Sequence, residues 1–183
     1  EMCIRDSNYN VTHESGMWKR DKEKLKVNPN DLKIIPPIFP DDSIVRHSLA
    51  VNYSNLIEMD KQVGKLVNHL KQEDIYDDSY IFFYSDHGGP FPRHKRAIYE
   101  TGTKVPFFVK LPKGNKEKVD KSQFLSFVDF APTILSIAGI NIPSFQQGKP
   151  FLGKYKDESV REYLFTSSDR FDEHPDRIRA CLL

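Results

Sequence analysis

Residues 84–100 read YSDHGGPFPRHKRAIYE: an aspartate, two histidines, paired glycines, two prolines and a basic cluster, directly behind an apolar run. That run, residues 80–84 (YIFFY), is short, aromatic and without alternation, which predicts a strand covered on both faces. Residues 105–111 repeat the pattern and end at Pro112. Open α/β sheets bind ligands at the carboxyl ends of their strands, so the segment from Ser85 to Gly89 is the predicted site. Asp86 offers carboxylate oxygen and His87 an imidazole nitrogen, and Gly88 and Gly89 permit the sharp turn that would aim both into one cleft. Pro90 and Pro92 stiffen the exit, while Arg93, Lys95 and Arg96 bring fixed positive charge to the same rim. A metal beside cations suits an anionic substrate. The same residues also read as an aspartate-capped turn with a surface basic cluster, and spacing alone leaves both readings open.

Outward from this stretch, helix and strand signals alternate without internal repeats, which predicts an α/β fold. Upstream, residues 19–26 are a charged run read as a solvated face or loop, and Pro36, Pro37 and Pro40 make the next stretch extended. Asp42 and Ser43 can cap a long helix in which Val45, Leu49, Leu56, Val63, Leu66, Val67 and Leu70 recur at helical spacing. Asp60 falls close to that apolar face and reads as a hydrogen-bonded structural acid rather than a ligand. Downstream, residues 126–138 predict a second helix, with Asp129 near its start, Pro132 in its first turn and Gly139 as its stop. Residues 163–165 suggest one more strand, and the charged residues 169–173 read as a solvated loop.

Composition narrows the function classes. A chain of 183 residues with 27 basic and 26 acidic side chains exerts no global pull on nucleic acid or anionic membrane. No apolar run approaches the roughly 20 residues that span a bilayer. The two cysteines, Cys3 and Cys181, sit at opposite extremes and define no disulfide framework. Residues 1–7 and 181–183 read as non-native ends of a fragment, leaving residues 8–180 free of cysteine.

Residues 85–109, SDHGGPFPRHKRAIYETGTKVPFFV, resemble the metal-and-substrate segment of the sulfatases in the alkaline-phosphatase superfamily. That pattern runs Asp-(Asn or His)-Gly, a variable loop, a Lys or Arg, then Tyr and a Val-Pro strand. The resemblance extends to Asp60, Val63 and Gly64 in the long helix, to residues 127–135 with Ala138 and Gly139, and to the stretch from Val11 to Ser15. It implies an α/β, alkaline-phosphatase-like sandwich: a mixed, largely parallel sheet with helices on both faces, incomplete in this chain. Residues 8–140 would be the C-terminal part of the catalytic domain, and residues 141–180 the start of a smaller C-terminal subdomain.

The resemblance also implies roles. Asp86 and His87 would ligate a divalent cation, calcium in most of the family, although His87 stands where many members carry Asn and zinc phosphatases of the superfamily use an Asp-His pair. Lys95 and His13 would contact the sulfate, with His13 also assisting protonation of the leaving group, and Arg93 would join them in binding substrate. The family's nucleophile is a formylglycine made within a Cys/Ser-x-Pro-x-Arg motif. That motif is not among these residues, so it is expected in an N-terminal part outside this chain. The Pro-Phe-Pro turn after Asp-His-Gly-Gly is similar to the N-sulfoglucosamine sulfohydrolase branch, which points to a sulfated carbohydrate substrate. Neither nucleic acid nor a membrane is an expected partner. The resemblance further implies a periplasmic, extracellular or lysosomal location. Two rival readings are a phosphatase or phosphodiesterase of the same superfamily and a non-catalytic glycan-binding remnant.

Overall fold

The computed structural model describes residues 6–20, 25–117, 123–171 and 173–182. Cys3, most of the predicted non-native N-terminal end and part of the charged run at 19–26 lie outside the described residues. The chain divides into two compact units, one of residues 6–113 and one containing residues 114–183.

The first unit is organised by the helices α1 (Glu14–Arg20) and α2 (Ser43–Gln72). Asp42 caps α2 as its side chain predicts, accepting the Val45 N–H at 2.8 Å. The core lies in the first half of the helix, where Leu49, Ala50 and Val51 are buried beside Ser54 and Asn55. Ser54 Oγ donates to the Ala50 carbonyl at 2.7 Å and accepts the Lys26 N–H at 3.0 Å, so the incoming chain is tethered to the helix. Beyond that point the apolar stripe is only half covered. Leu56 is 37 % exposed, and Asp60 is exposed at the rim of an open groove lined by Val27, Leu32, Tyr53 and Ile57. Periodicity names a face, but not how far along the helix a neighbour covers it.

Strands β1 (Ile81–Tyr84) and β2 (Phe107–Lys110) form where the two apolar runs predict them, and pair antiparallel from Ile81↔Lys110 to Tyr84↔Phe107. Ring contacts between Phe83 and Phe108 (6.1 Å) and between Tyr84 and Phe107 (6.4 Å) add cross-strand packing worth about 0.2–1 kcal/mol each. Lys110 Nζ crosses back to the Asp77 and Ser79 carbonyls, both at 3.2 Å, and ties β2 to the turn that leads into β1. Burial on both faces is not observed: Phe108 is 63 % exposed and Tyr84 44 %. Both ladders among the described residues are two-stranded and antiparallel. An unbroken apolar run fixes where a strand forms but carries no direction, and here the connecting segment folds on itself and returns the chain antiparallel.

In the second unit, Ser126 opens a 3-10 turn (Phe127–Asp129) that continues into α3 (Phe130–Ile137). Gly139 ends it at φ 69°, as the sequence predicts. Asp129 is 1 % exposed and does more than cap. It accepts the Ser126 and Lys149 N–H groups, each at 2.8 Å, and pairs with the Arg161 guanidinium. Thr133 bridges the Asp129 carbonyl and the Phe151 N–H beside buried Phe151 and Leu152. The strand expected at 163–165 is the start of β3 (Leu164–Phe171), and the charged residues after it belong to a hairpin with β4 (His174–Leu182). Charge suggests a loop, yet Asp169 and Arg179 pair across the hairpin. Cys181, an exposed free thiol, lies within this ladder opposite Phe165.

Candidate active site

All five predicted site residues fall in the first unit. Asp86 and His87 follow β1 directly, in a turn where Ser85 Oγ donates to the His87 carbonyl at 2.7 Å. His87 Nδ1 lies 2.8 Å from the Gly88 carbonyl. A carbonyl only accepts, so Nδ1 carries a proton, and in the neutral ring the lone pair is on Nε2. That lone pair stands 3.5 Å from Asp86 Oδ2. Two acceptor atoms facing one another suit a cation between them, and the backbone bond at Nδ1 fixes the ring as an outer partner of a metal-bound histidine does.

Calcium–oxygen bonds and zinc bonds both bring neighbouring donors about 3.3–3.6 Å apart, so this spacing serves either ion. Among the described residues, no group of three or more His, Cys, Asp or Glu converges on a metal position. Calcium takes six to eight ligands, so Asp86 and His87 supply only part of a donor set.

The expected role of the glycines is corrected by the backbone. Neither Gly88 nor Gly89 has a positive φ; the left-handed residues of this loop are Arg93 (φ 66°) and Arg96 (φ 68°). Each costs about 1–2 kcal/mol relative to an ordinary conformation. Gly88 is required by proximity instead. Its N–H donates to the Gly102 carbonyl at 2.9 Å, and a Cβ there would lie 1.8 Å from the Thr101 oxygen. Within the loop, the Lys95 N–H donates to the Gly89 carbonyl at 3.2 Å and the Ala97 N–H to that of His94 at 3.1 Å. Phe39 clamps the loop from outside, with Phe91 at 5.7 Å and a stacked His94 at 5.9 Å.

This scaffold carries Lys95 to His13, with Lys95 Nζ 3.0 Å from His13 Nε2. The histidine sits in the turn before α1, where its N–H bonds the Asn10 carbonyl at 3.1 Å and its own carbonyl accepts the Gly16 N–H at 2.8 Å. An ammonium only donates, so Nε2 accepts and Nδ1–H donates to Ser15 Oγ at 3.0 Å. This tautomer of the neutral ring satisfies the two shorter contacts, over a 3.3 Å approach of the Ser15 N–H to Nδ1.

Glu14 joins the pair, its Oε1 3.3 Å from Lys95 Nζ and 3.6 Å from the Arg96 guanidinium. The Lys95 hydrogen bond holds the Glu14 carboxyl below the usual range against partial desolvation, helped by the charges of Lys95 and Arg96. Arg93 turns another way, its guanidinium over the Tyr99 ring at 4.7 Å. The fold thus joins His13 to Lys95 and Asp86 to His87, and stacks Arg93 on an aromatic ring. Sequence reading passed over Glu14. Its signal was a carboxylate next to a candidate histidine, but nothing local says that two cations from the distant loop would meet it.

The family model for sulfatases matches residues 8–140. The chain belongs to the sulfatase family. This sulfatase chain is 38 % identical over 173 residues to an ulvan-active sulfatase of Formosa agariphila, covering 94 % of the chain and 29 % of that relative. It is 32 % identical over 134 residues to human N-sulphoglucosamine sulphohydrolase, covering 72 % of the chain and 26 % of that protein. The expected N-sulfoglucosamine branch is therefore among the relatives, while the ulvan-active enzyme matches more of the chain. A solved sulfatase structure from Bacteroides fragilis, yidJ, superposes with a TM-score of 0.63 over 94 % of the chain and 39 % of that structure, at 20 % identity. That likeness supports the α/β, alkaline-phosphatase-like fold. The sulfatase chain spans less than a third of the length of these two curated relatives.

Proposed function

We propose that this chain is the His13–Lys95 portion of a sulfatase that hydrolyses sulfate esters or N-sulfates on a sulfated carbohydrate. The observation carrying the reading is the 3.0 Å contact between His13 Nε2 and Lys95 Nζ in a chain of the sulfatase family. A sulfuryl group gains charge on its oxygens and leaving atom during transfer, and two preorganised cationic or donor groups stabilise that charge. Lys95 turns its ammonium from His13 to the sulfuryl oxygens. His13, freed at Nε2, takes a proton there and delivers it to the leaving oxygen or nitrogen. Arg93, fixed over Tyr99, adds a cation for a second anionic group of the glycan.

Asp86 and His87 would hold two coordination positions of a divalent cation, calcium by family, whose chemistry is Lewis-acid polarisation of the sulfuryl group. The formylglycine of the family has no counterpart among these residues, because no cysteine or serine here opens a Cys/Ser-x-Pro-x-Arg motif. In this reading residues 8–140 belong to the catalytic domain and residues 141–180 begin a smaller subdomain. Sulfated polysaccharides are met in periplasmic, extracellular or lysosomal space, which is where the enzyme would work. No helix among the described residues is long and apolar enough to cross a membrane.

The test is the full-length enzyme containing this chain, assayed on an aryl sulfate, an aryl phosphate and sulfated oligosaccharides of heparan and ulvan type. Metal-dependent sulfate release from the aryl sulfate and at least one glycan is expected. Preferential release of phosphate would replace the sulfatase reading with the phosphatase one.

A further inference from the structure

Resting on the sulfatase reading, we propose that Glu14 is a specificity-determining residue whose carboxylate limits the positive charge beside Lys95, so that a sulfuryl monoanion is accepted over a phosphoryl dianion. Lys95 and Arg96 are consecutive, and in extended backbone consecutive side chains point to opposite sides. Here both reach the same oxygen, Glu14 Oε1, at 3.3 and 3.6 Å. The left-handed turn at Arg96 (φ 68°) bends the chain where the two converge, a strained conformation held at a site of charge rather than relaxed away. A lysine meant only to grip an anion gains nothing from a carboxylate that competes for the same ammonium. The presence of Glu14 therefore calls for a role of its own.

That role follows from charge. Two cations and one carboxylate leave the cluster with a single net positive charge when the His13 ring is neutral. A sulfate half-ester carries one negative charge, while a phosphate monoester carries about 1.5 to 2 near neutral pH. Glu14 repels both, and repels the phosphoryl group more by the additional charge. The carboxylate stays ionised, because the Lys95 hydrogen bond holds it below the usual range. Its side chain is 29 % exposed and that of Lys95 20 %, so solvent screens the interaction in part.

The test compares Glu14→Gln and Glu14→Asp in the full-length enzyme. Glutamine keeps an oxygen acceptor for Lys95 and loses the charge; aspartate keeps the charge. The readout is the ratio of kcat/KM on an aryl phosphate to that on the matching aryl sulfate. Glu14→Gln should raise the ratio on the order of tenfold, the scale of one unit charge acting across a partly solvated site. Glu14→Asp should stay within about threefold of the parent. A role limited to holding Lys95 in place would lower both activities together and leave the ratio unmoved, which overturns the proposal. Should Glu14→Gln fail to fold, Arg96→Gln is decisive: loss of a cation from the same cluster should lower the ratio, and an unchanged ratio overturns the proposal. A parent enzyme that turns over sulfate but shows unmoved ratios sinks this inference alone. A parent without sulfate turnover sinks the sulfatase reading, and this inference with it.

Discussion

Lys95 Nζ meets His13 Nε2 at 3.0 Å although the two residues stand 82 positions apart in the chain. Neither alone distinguishes itself from a surface residue; in contact the Lys95 ammonium donates to the His13 ring. Lys95→Ala in the full-length enzyme should lower kcat about 100- to 1000-fold, the range for loss of one preorganised charge stabiliser. The His13→Ala variant should fall comparably. Because the pair acts as a unit, the double variant should lose less than about tenfold beyond the worse single variant. Steady-state sulfate release measures all three, and fully multiplicative losses would show two independent residues.

Metal content tests the Asp86–His87 pair. Asp86→Ala should remove bound divalent metal and activity together, since water replaces a charged ligand poorly. His87→Asn keeps an oxygen donor, so with calcium it should retain most of the metal and measurable turnover. Elemental analysis of both variants beside their rates checks this. A His87→Asn enzyme stripped of zinc would mark the ion as zinc.

The adjacent glycines should respond differently to one methyl group. At Gly88 a Cβ would lie 1.8 Å from the Thr101 oxygen, whereas at Gly89 the nearest atom, on the His94 ring, is 3.6 Å away. Gly88→Ala should destabilise the unit by about 2–3 kcal/mol, as overpacking against backbone does. Gly89→Ala should stay within about 0.5 kcal/mol. Urea unfolding midpoints separate the two, and equal effects would contradict the loop's packing.

Acid stability should reflect Glu14 and Asp41. Both carboxyls lie below the ordinary range in the folded protein, Glu14 chiefly through Lys95 and Asp41 chiefly through Arg46. A depressed folded pKa contributes stability that is complete above the unfolded value and is lost as pH falls through the folded one. Denaturation midpoints should therefore decline on acidification through and below the usual carboxylate range. Asp41→Asn should flatten part of that decline, and an unaltered slope would mean the Arg46–Asp41 pair contributes nothing.

In the second unit, Asp129→Ala should cost about 3 kcal/mol, because it leaves the Arg161 guanidinium and the Ser126 and Lys149 N–H groups without their carboxylate. Thermal unfolding of the variant measures it. A shift of a degree or less would mean that solvent replaces those bonds.

Much of this was legible along the chain. Asp42 capping α2, Gly139 ending α3, the two aromatic strands and the loop of Asp86, His87 and Lys95 are local patterns, each written within a few residues. What was not legible depends on partners far away. Strand direction depends on how the connecting segment turns, and Glu14 gains meaning only from cations more than 80 positions downstream. The charged hairpin was hidden because its Asp169–Arg179 pair is local in space but reads as solvated sequence. The glycine turn failed for another reason: composition cannot say whether a glycine is present for its torsion angles or for the room it leaves.

The bond from the Gly88 N–H to the Gly102 carbonyl, with the inner one from Lys95 to Gly89, makes the segment a pair of nested rings. Asp86 and His87 lie just before the outer ring's closure, and Lys95 closes the inner one. Residues 90–94 form the interior of that small ring. Their side chains can be exchanged while the backbone bonds at both closures keep their places. Under the sulfatase reading proposed above, exchanges confined to this five-residue interior would alter what the loop presents to a ligand without moving the backbone of Asp86, His87 or Lys95.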